Sequence, residues 1–232
     1  MNFIMAVKTA KSKAAYKRLL IVDDHPMMRT GLAQLIDNEG DLKVCAEADN
    51  AGQAINAVSK QKFDLALVDI SLPDKNGLEL IKDLRSLNSE LPILVVSMHD
   101  ELIYAERVLR AGARGYIMKQ EGGQKFLQAI RQVLSGQVFV SEKMSARILE
   151  NFSGNQNQNN SSPVRRLSDR EFEVFQLIGQ GVSTGDIATR LRLSIKTVEV
   201  HRANIKQKLN LATATELVRY AVRWLDSQGR NT

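Results

Sequence analysis

Five short apolar runs, at 18–22, 42–48, 63–68, 92–97 and 115–118, alternate with stretches whose apolar residues recur at helical spacing. The runs are nearly continuous in Leu, Ile and Val, which predicts strands buried on both faces and therefore a parallel sheet. The spans between them predict helices of about 10 residues, starting near Pro26, Ala51, Asn76, Glu101 and Gln124. Beyond residue 166 the pattern is helical only. Ser168-Asp169-Arg170-Glu171 reads as a capping box before FEVFQLI, closed by Gly179 and Gly181. Ser183-Thr184-Gly185-Asp186 opens IATRL, Ser194 caps IKTVEVHRANIKQKL, and Thr213-Ala214-Thr215-Glu216 opens LVRYAVRWL. Two short helices, a tight turn and a longer third helix form the plan of a helix-turn-helix domain.

Between these halves, Asn151 to Arg166 reads NFSGNQNQNNSSPVRR, too polar to offset its own ordering entropy. The expected organisation is a basic, disordered tail (1–17), an α/β domain (18–136), a linker with a helical extension (137–166) and an all-α domain (167–232). At 44% hydrophobic and 25% charged, the 232 residues have the balance of a folded protein rather than a disordered or collagenous one. No apolar run reaches the roughly 18 to 20 residues of a membrane-spanning helix, and the stretch before the first lysines is too short for a signal peptide. A single cysteine, Cys45, allows no intrachain disulfide or cysteine cluster, which points to the reducing cytoplasm and a packed apolar role. The net charge of +6 divides into +4 for residues 1–17, −3 for 18–150 and +5 for 151–232. A basic second half suggests a polyanionic partner.

In an open parallel sheet, ligands collect beyond the carboxyl ends of the strands. Asp23 and Asp24 directly follow the first strand and Asp69 the third. Three carboxylates drawn together repel unless a hard cation such as Mg²⁺ sits among them, and that cation would also hold phosphoryl oxygens. Asp69 is then a candidate nucleophile toward phosphorus. Ser97 ends the fourth strand with a hydroxyl, and Lys119 ends the fifth with an ammonium, both suited to phosphoryl oxygens. Tyr116 lies three residues before Lys119, and His99 two residues beyond Ser97, where it could tune dephosphorylation.

The motifs LLIVDDHP, LVDISLPDKNGLEL, VVSMHD, GARGYIMK and LSDREFEVFQLI…IATRLRLSIKTVEVHRANIKQKLNL together resemble the two-component response regulators of the NarL/FixJ class, from Arg18 to about Leu225. The resemblance implies a flavodoxin-like, doubly wound receiver followed by a LuxR-type helix-turn-helix domain. It makes Asp69 the phosphoacceptor, with Mg²⁺ held by Asp24, Asp69 and the Ser71 carbonyl and assisted indirectly by Asp23. Ser97 and Tyr116 would be a switch pair, and Lys119 would contact the phosphoryl group. A phosphoryl group adds roughly two negative charges, able to draw in Ser97 and open space for Tyr116 to rotate. Gln120 departs from the proline many receivers carry after this lysine.

On a helical wheel from Ile195, the apolar residues Ile195, Val198, Ile205 and Leu209 share one side, expected to face the core. Lys196, Glu199, Val200, Ala203 and Asn204 are candidate base readers: Asn for adenine, Glu for a cytosine amino group, Val and Ala for a thymine methyl. Thr184, Thr197, His201, Arg202 and Lys208 suit phosphate contact. One such domain is small, so dimerisation on a paired site is expected, with Leu217, Val218, Ala221, Trp224 and Leu225 of the last helix as the candidate surface.

The resulting expectation is a non-enzymatic, cytoplasmic transcription regulator. Its partners would be a sensor histidine kinase, double-stranded promoter DNA, a second copy of itself and, as a further candidate, RNA polymerase. Three alternatives stay open: a regulator that works only through protein contacts, a DNA-binding regulator independent of phosphate, and a Mg²⁺-dependent phosphatase with an aspartyl-phosphate intermediate. The last needs a second acid two residues after the nucleophile, where Ser71 stands.

Overall fold

A computed structural model describes residues 16–152 and 163–229, so the expected disordered tail and most of the polar linker lie outside the described residues. The first domain alternates β1 (Lys17–Val22), α1 (Pro26–Asp37), β2 (Leu42–Ala48), α2 (Ala51–Lys60), β3 (Leu65–Val68), α3 (Gly77–Leu87), β4 (Ile93–Ser97), α4 (Glu101–Arg110), β5 (Gly115–Met118) and α5 (Gly123–Leu134). The five strands form one parallel sheet in the order β2-β1-β3-β4-β5. The direction of winding reverses between β1 and β3, so the crevice for a ligand opens beyond Val22 and Val68.

Three strand starts differ from the sequence pattern, the smallest shift being β4, which begins at Ile93, one residue into its apolar run. β1 starts at Lys17, pairing with Leu42, and β3 starts two residues after Phe63. Lys17 joins β1 through its amide, which donates to the Asp41 carbonyl (2.8 Å), and the Asp64 carboxylate just before β3 accepts from the Arg18 backbone N–H (2.8 Å) and the Lys17 ammonium (3.1 Å).

Nearly every strand side chain is buried because both faces are covered. Leu32 and Ile36 of α1 and Phe126, Ile130 and Val133 of α5 pack on one face. Ala54 of α2, Leu78, Ile81 and Leu84 of α3 and Val108 of α4 pack on the other. Asn76 and Asp100 cap α3 and α4 by accepting from the Leu78 and Leu102 amides. Gly77 is required by close approach: a Cβ there would lie 2.3 Å from the Asp69 carbonyl oxygen.

A further helix, α6 (Glu142–Phe152), packs on α4 and buries Met144. The end of the polar stretch is not free chain: Pro163–Arg166 form a 3₁₀ turn that buries Val164 in the core. The second domain comprises α7 (Asp169–Gly179), α8 (Thr184–Arg190), α9 (Ile195–Leu209) and α10 (Ala214–Gly229). Both halves of the capping box form, Ser168 to the Glu171 amide and Glu171 to the Ser168 amide. Ser183 and Ser194 cap α8 and α9. α7 and α10 approach so closely at Gly179 that a Cβ would lie 2.6 Å from Leu225 and 2.8 Å from the Ala221 carbonyl.

The two domains share one hydrophobic cluster. Tyr104 of α4 meets Phe172 of α7 edge-on (5.4 Å), and Phe172 meets Trp224 of α10 (5.6 Å). Arg107 of α4 lies 4.0 Å from the centre of the Phe172 ring. Its guanidinium also donates to the carbonyls of Val164 and Leu167, each at 3.0 Å, and pairs with Asp169 at 3.3 Å.

Candidate functional site

Three strand ends deliver the charged groups to one point. Asp69 and Asp23 are each 2% exposed, anchored by backbone bonds from the Asp69 amide to Val22 and from the Asp23 amide to Ala48. Lys119 is brought to them by its own amide bonding the Ser97 carbonyl (2.8 Å). Its ammonium lies 2.8 Å from Asp69 Oδ2 and 2.6 Å from Asp23 Oδ2. Burial pushes the Asp69 carboxyl above its usual range, and Asp23 adds to this while Lys119 opposes it. Burial also disfavours the Lys119 ammonium, but the two carboxylates outweigh it and hold its pKa above the ordinary lysine value.

Asp23, Asp24, His25 and Asp69 each present a ligand atom within 4.8 Å of the others. Asp69 Oδ1 is buried with no hydrogen-bond partner. A carboxylate oxygen left bare among other carboxylates fits a hard cation or an electrophilic phosphorus. Asp24 is partly exposed at the mouth, and the Asp24–Ser71 edge opens into a cleft of about 290 Å³ whose far wall is Arg170, Arg190 and Arg192 of the second domain.

Ser97 is fully buried and Tyr116 is 1% exposed. The Tyr116 ring therefore already lies inside, contrary to the expectation that space must open for it, because its hydroxyl donates to the His99 carbonyl at 2.6 Å. Burial raises the Tyr116 pKa, so the hydroxyl stays a donor. The His99 amide in turn donates to Ser97 Oγ (3.2 Å). The His99 ring bonds Ser71 Oγ (2.9 Å), and burial together with nearby Lys119 keeps the imidazole below its ordinary pKa.

Sequence reasoning missed His25 and Arg29. The His25 ring bonds Asp24 (2.7 Å) and Asp23 (3.2 Å), and Arg29 donates to the Asp23 carbonyl (2.6 Å). The doublet Asp23-Asp24 followed by a His was the available signal. Its position after the two acids does not reveal that the His25 ring turns back onto both of them.

On α9, Lys196, Glu199, Val200, Ala203 and Asn204 are all exposed on one face, with Val200 at 52%. Val198, Ile205 and Leu209 are buried as expected. Ile195 is the exception: it is 60% exposed rather than core-facing, because it is the first helical residue after the Ser194 cap and projects past the packed helices. Thr184, Thr197, His201, Arg202 and Lys208 are half-buried around this face. Lys208 is held by Glu171 (2.5 Å), so it braces α9 against α7 instead of standing free for phosphate. The turn before α9 carries Arg192 at φ +51°.

The candidate dimer surface on α10 also needs correction. Leu217 and Ala221 are fully buried, Trp224 packs on Phe172 and Phe175, and Leu225 packs against Gly179. These residues complete the domain's own core, since α7 occupies the apolar stripe of α10. Val218 (39% exposed) remains, joined by Val222 (37%) one turn on.

Residues 19–131 match the model of the response regulator receiver domain, and residues 165–221 that of the luxR family of bacterial regulatory proteins. The oxygen regulatory protein NreC of Staphylococcus aureus (strain bovine RF122 / ET3-1) is 37% identical over 210 residues, 89% of this chain and 97% of that one. The chain belongs to the NarL/FixJ class of two-component response regulators. Solved structures agree. The RcsB structure from Salmonella enterica serovar Typhimurium, bound to promoter rprA in the presence of the phosphomimetic BeF3-, is 26% identical with a TM-score of 0.61, covering 89% of this chain and 98% of that one. A LuxR-family response regulator from Aurantimonas sp. SI85-9A1 is 31% identical with a TM-score of 0.56, covering 60% of this chain and 99% of that one. The first domain is thus a receiver and the second a LuxR-type DNA-binding domain, as the motifs implied. Among the described residues, no helix of this regulator is long and apolar enough to cross a membrane.

Proposed function

We propose that this regulator is switched by phosphorylation of Asp69 and binds promoter DNA as a dimer through α9. The observation that carries the reading is the pairing of Lys119 with a buried Asp69 whose second oxygen is bare, in a chain that also presents an exposed α9. Asp69 Oδ1 attacks the phosphorus of a histidine kinase's phosphohistidine or of acetyl phosphate. An O–P bond forms, and the P–N or P–O bond to the donor breaks, its electron pair leaving with the donor. Lys119 stays within reach of the transferred oxygens. Asp24, Asp69 and the Ser71 carbonyl would hold Mg²⁺, which when bound neutralises charge on those oxygens. Asp23, tied to Lys119 and His25, acts indirectly. The regulator is not otherwise an enzyme: Ser71, standing where a phosphatase needs its second acid, offers a hydroxyl already bonded to His99.

DNA recognition would fall to Lys196, Glu199, Val200, Ala203 and Asn204, with Thr184, Thr197, His201 and Arg202 on the flanking phosphates. Dimer contact through α10 would use Val218 and Val222. RcsB supports promoter binding and dimerisation as such, having been solved with promoter DNA and as two dimers bound to two parallel DNAs. The test is incubation with Mg²⁺ and acetyl phosphate, followed by intact mass and solution size, with Asp69→Asn as control. The expected result is a phosphoryl adduct and a shift from monomer to dimer, both lost in the variant. An adduct that persists in Asp69→Asn overturns the reading.

A further inference from the structure

Both switch hydroxyls bond the backbone of His99. Its amide donates to Ser97 Oγ (3.2 Å), and its carbonyl accepts from Tyr116 (2.6 Å). Its ring bonds Ser71, two residues beyond Asp69. On its other side the ring lies against Tyr104, centroids 4.6 Å apart and tilted by 30°. Tyr104, 2% exposed, turns its hydroxyl away from the receiver and donates it to Gln176 Oε1 of α7 at 2.5 Å. Gln176 is itself 8% exposed, a polar side chain buried in the DNA-binding domain. Burial raises the Tyr104 pKa, so the hydroxyl remains a donor.

We propose that His99 is the positioning residue through which the state of Asp69 reaches the DNA-binding domain, by way of Tyr104 and Gln176. The inference rests on the phosphorylation reading above and names its mechanical route. Phosphoryl oxygens on Asp69 accept the Ser97 hydroxyl proton and draw its Oγ toward them. When Ser97 turns to them, the His99 amide loses its acceptor in a buried place, a cost relieved only by moving the loop between β4 and α4. Tyr116 cannot compensate by rotating inward, since it is already buried and bonded to the same residue. As His99 shifts, the ring against Tyr104 goes with it, and the Tyr104–Gln176 bond loses its backing. The recognition face of α9 is exposed in this arrangement, so the latch restrains domain orientation and not access to the bases.

Coupling between two sites is reciprocal. A bond that phosphorylation loosens must itself oppose phosphorylation, although Gln176 lies in the other domain and touches none of the charged groups around Asp69. The experiment titrates full-length protein with acetyl phosphate and Mg²⁺, reading phosphoryl occupancy by intact mass and domain separation by small-angle X-ray scattering. It compares wild type, Tyr104→Phe, which keeps the ring stack, and the double variant Tyr104→Phe/Gln176→Leu, which leaves no polar atom unpaired. Expected are a larger radius of gyration before phosphorylation in both variants, and half-occupancy at an acetyl phosphate concentration about fivefold lower than wild type. His99→Ala is expected to accept the phosphoryl group without any further change in scattering. Variants that stay as compact as wild type and titrate identically overturn the coupling while leaving Asp69 phosphorylation intact. A wild type that gains no adduct overturns both.

Discussion

At the residue scale, the receiver pocket is a study in charge held short of balance. Asp23 and Asp69 share one ammonium, Asp24 leans on His25, and one buried oxygen of Asp69 has no cation beside it. Like charges this close destabilise the fold until a cation joins them. Millimolar Mg²⁺ should therefore raise the melting temperature of the wild type by roughly 4 °C, corresponding to about 1–2 kcal/mol of linked binding for a chain of this size. Asp69→Asn should melt higher than wild type without Mg²⁺ and gain little from adding it. Thermal scans of the two proteins with Mg²⁺ and with a chelator decide this, and an equal Mg²⁺ response in both would remove Asp69 from the cation site. The residue scale is also where sequence spoke most clearly for this pocket, because Asp23, Asp24, Asp69, Ser97 and Lys119 each stand at or just past a strand end. It spoke poorly for His99, whose neighbours Ser71, Tyr104 and Tyr116 come from other segments of the chain.

At the element scale, α9 is positioned by a device that the charge count misreads. Lys208, an obvious phosphate ligand by composition, instead pairs with Glu171, which is also the returning half of the α7 capping box. Burial opposes the Glu171 charge, yet the bonds from Lys208 and Ser168 outweigh it and hold the carboxyl below its usual range. A group with a depressed folded pKa contributes stability above its unfolded pKa, about 4.3, and loses it as pH falls through the lower folded value. Glu171→Gln should cost about 1–2 kcal/mol at pH 7, and the difference from wild type should shrink below pH 4. The only tryptophan, Trp224, sits in this domain and reports its unfolding by denaturant directly. A cost that does not change with pH would show that Glu171 acts by shape alone. The helix boundaries of this domain were legible because each start carries a Ser or Thr cap, whereas the exposure of Ile195 and the burial of Leu217 and Ala221 were not. Periodicity names an apolar stripe; which neighbour covers it depends on where α7 lies.

At the scale of the whole molecule, Arg107 is the pivot between domains. It is 15% exposed at its side chain, stacks on Phe172 and satisfies two carbonyls and Asp169 across the interface, while Lys82 reaches Asp169 from α3 (2.8 Å). Burial lowers its pKa from the ordinary arginine value, and the Asp169 carboxylate beside it works against that shift. Arg107→Ala removes the stack and leaves the Leu167 and Val164 carbonyls without this donor. Calorimetry of the full chain should then show two separate transitions in place of one more cooperative unfolding. A single unchanged transition would show that the interface contributes little to holding the domains together.

What the sequence by itself determined is what local and periodic chemistry can encode. Near-continuous apolar runs required a sheet covered on both faces, caps marked the starts of helices, and a shared set of motifs identified the receiver and the DNA-binding domain. Residues at strand ends fall together in any parallel doubly wound sheet, so the acidic pocket followed from topology alone. Only the tertiary structure decided how these parts are used. It left one Asp69 oxygen bare, spent Lys208 on Glu171 and Leu217 on the core, and set Tyr104 against both His99 and Gln176. Those outcomes depend on contacts between residues far apart in the chain, whose distances are fixed by packing and carry no signature in the spacing of either partner.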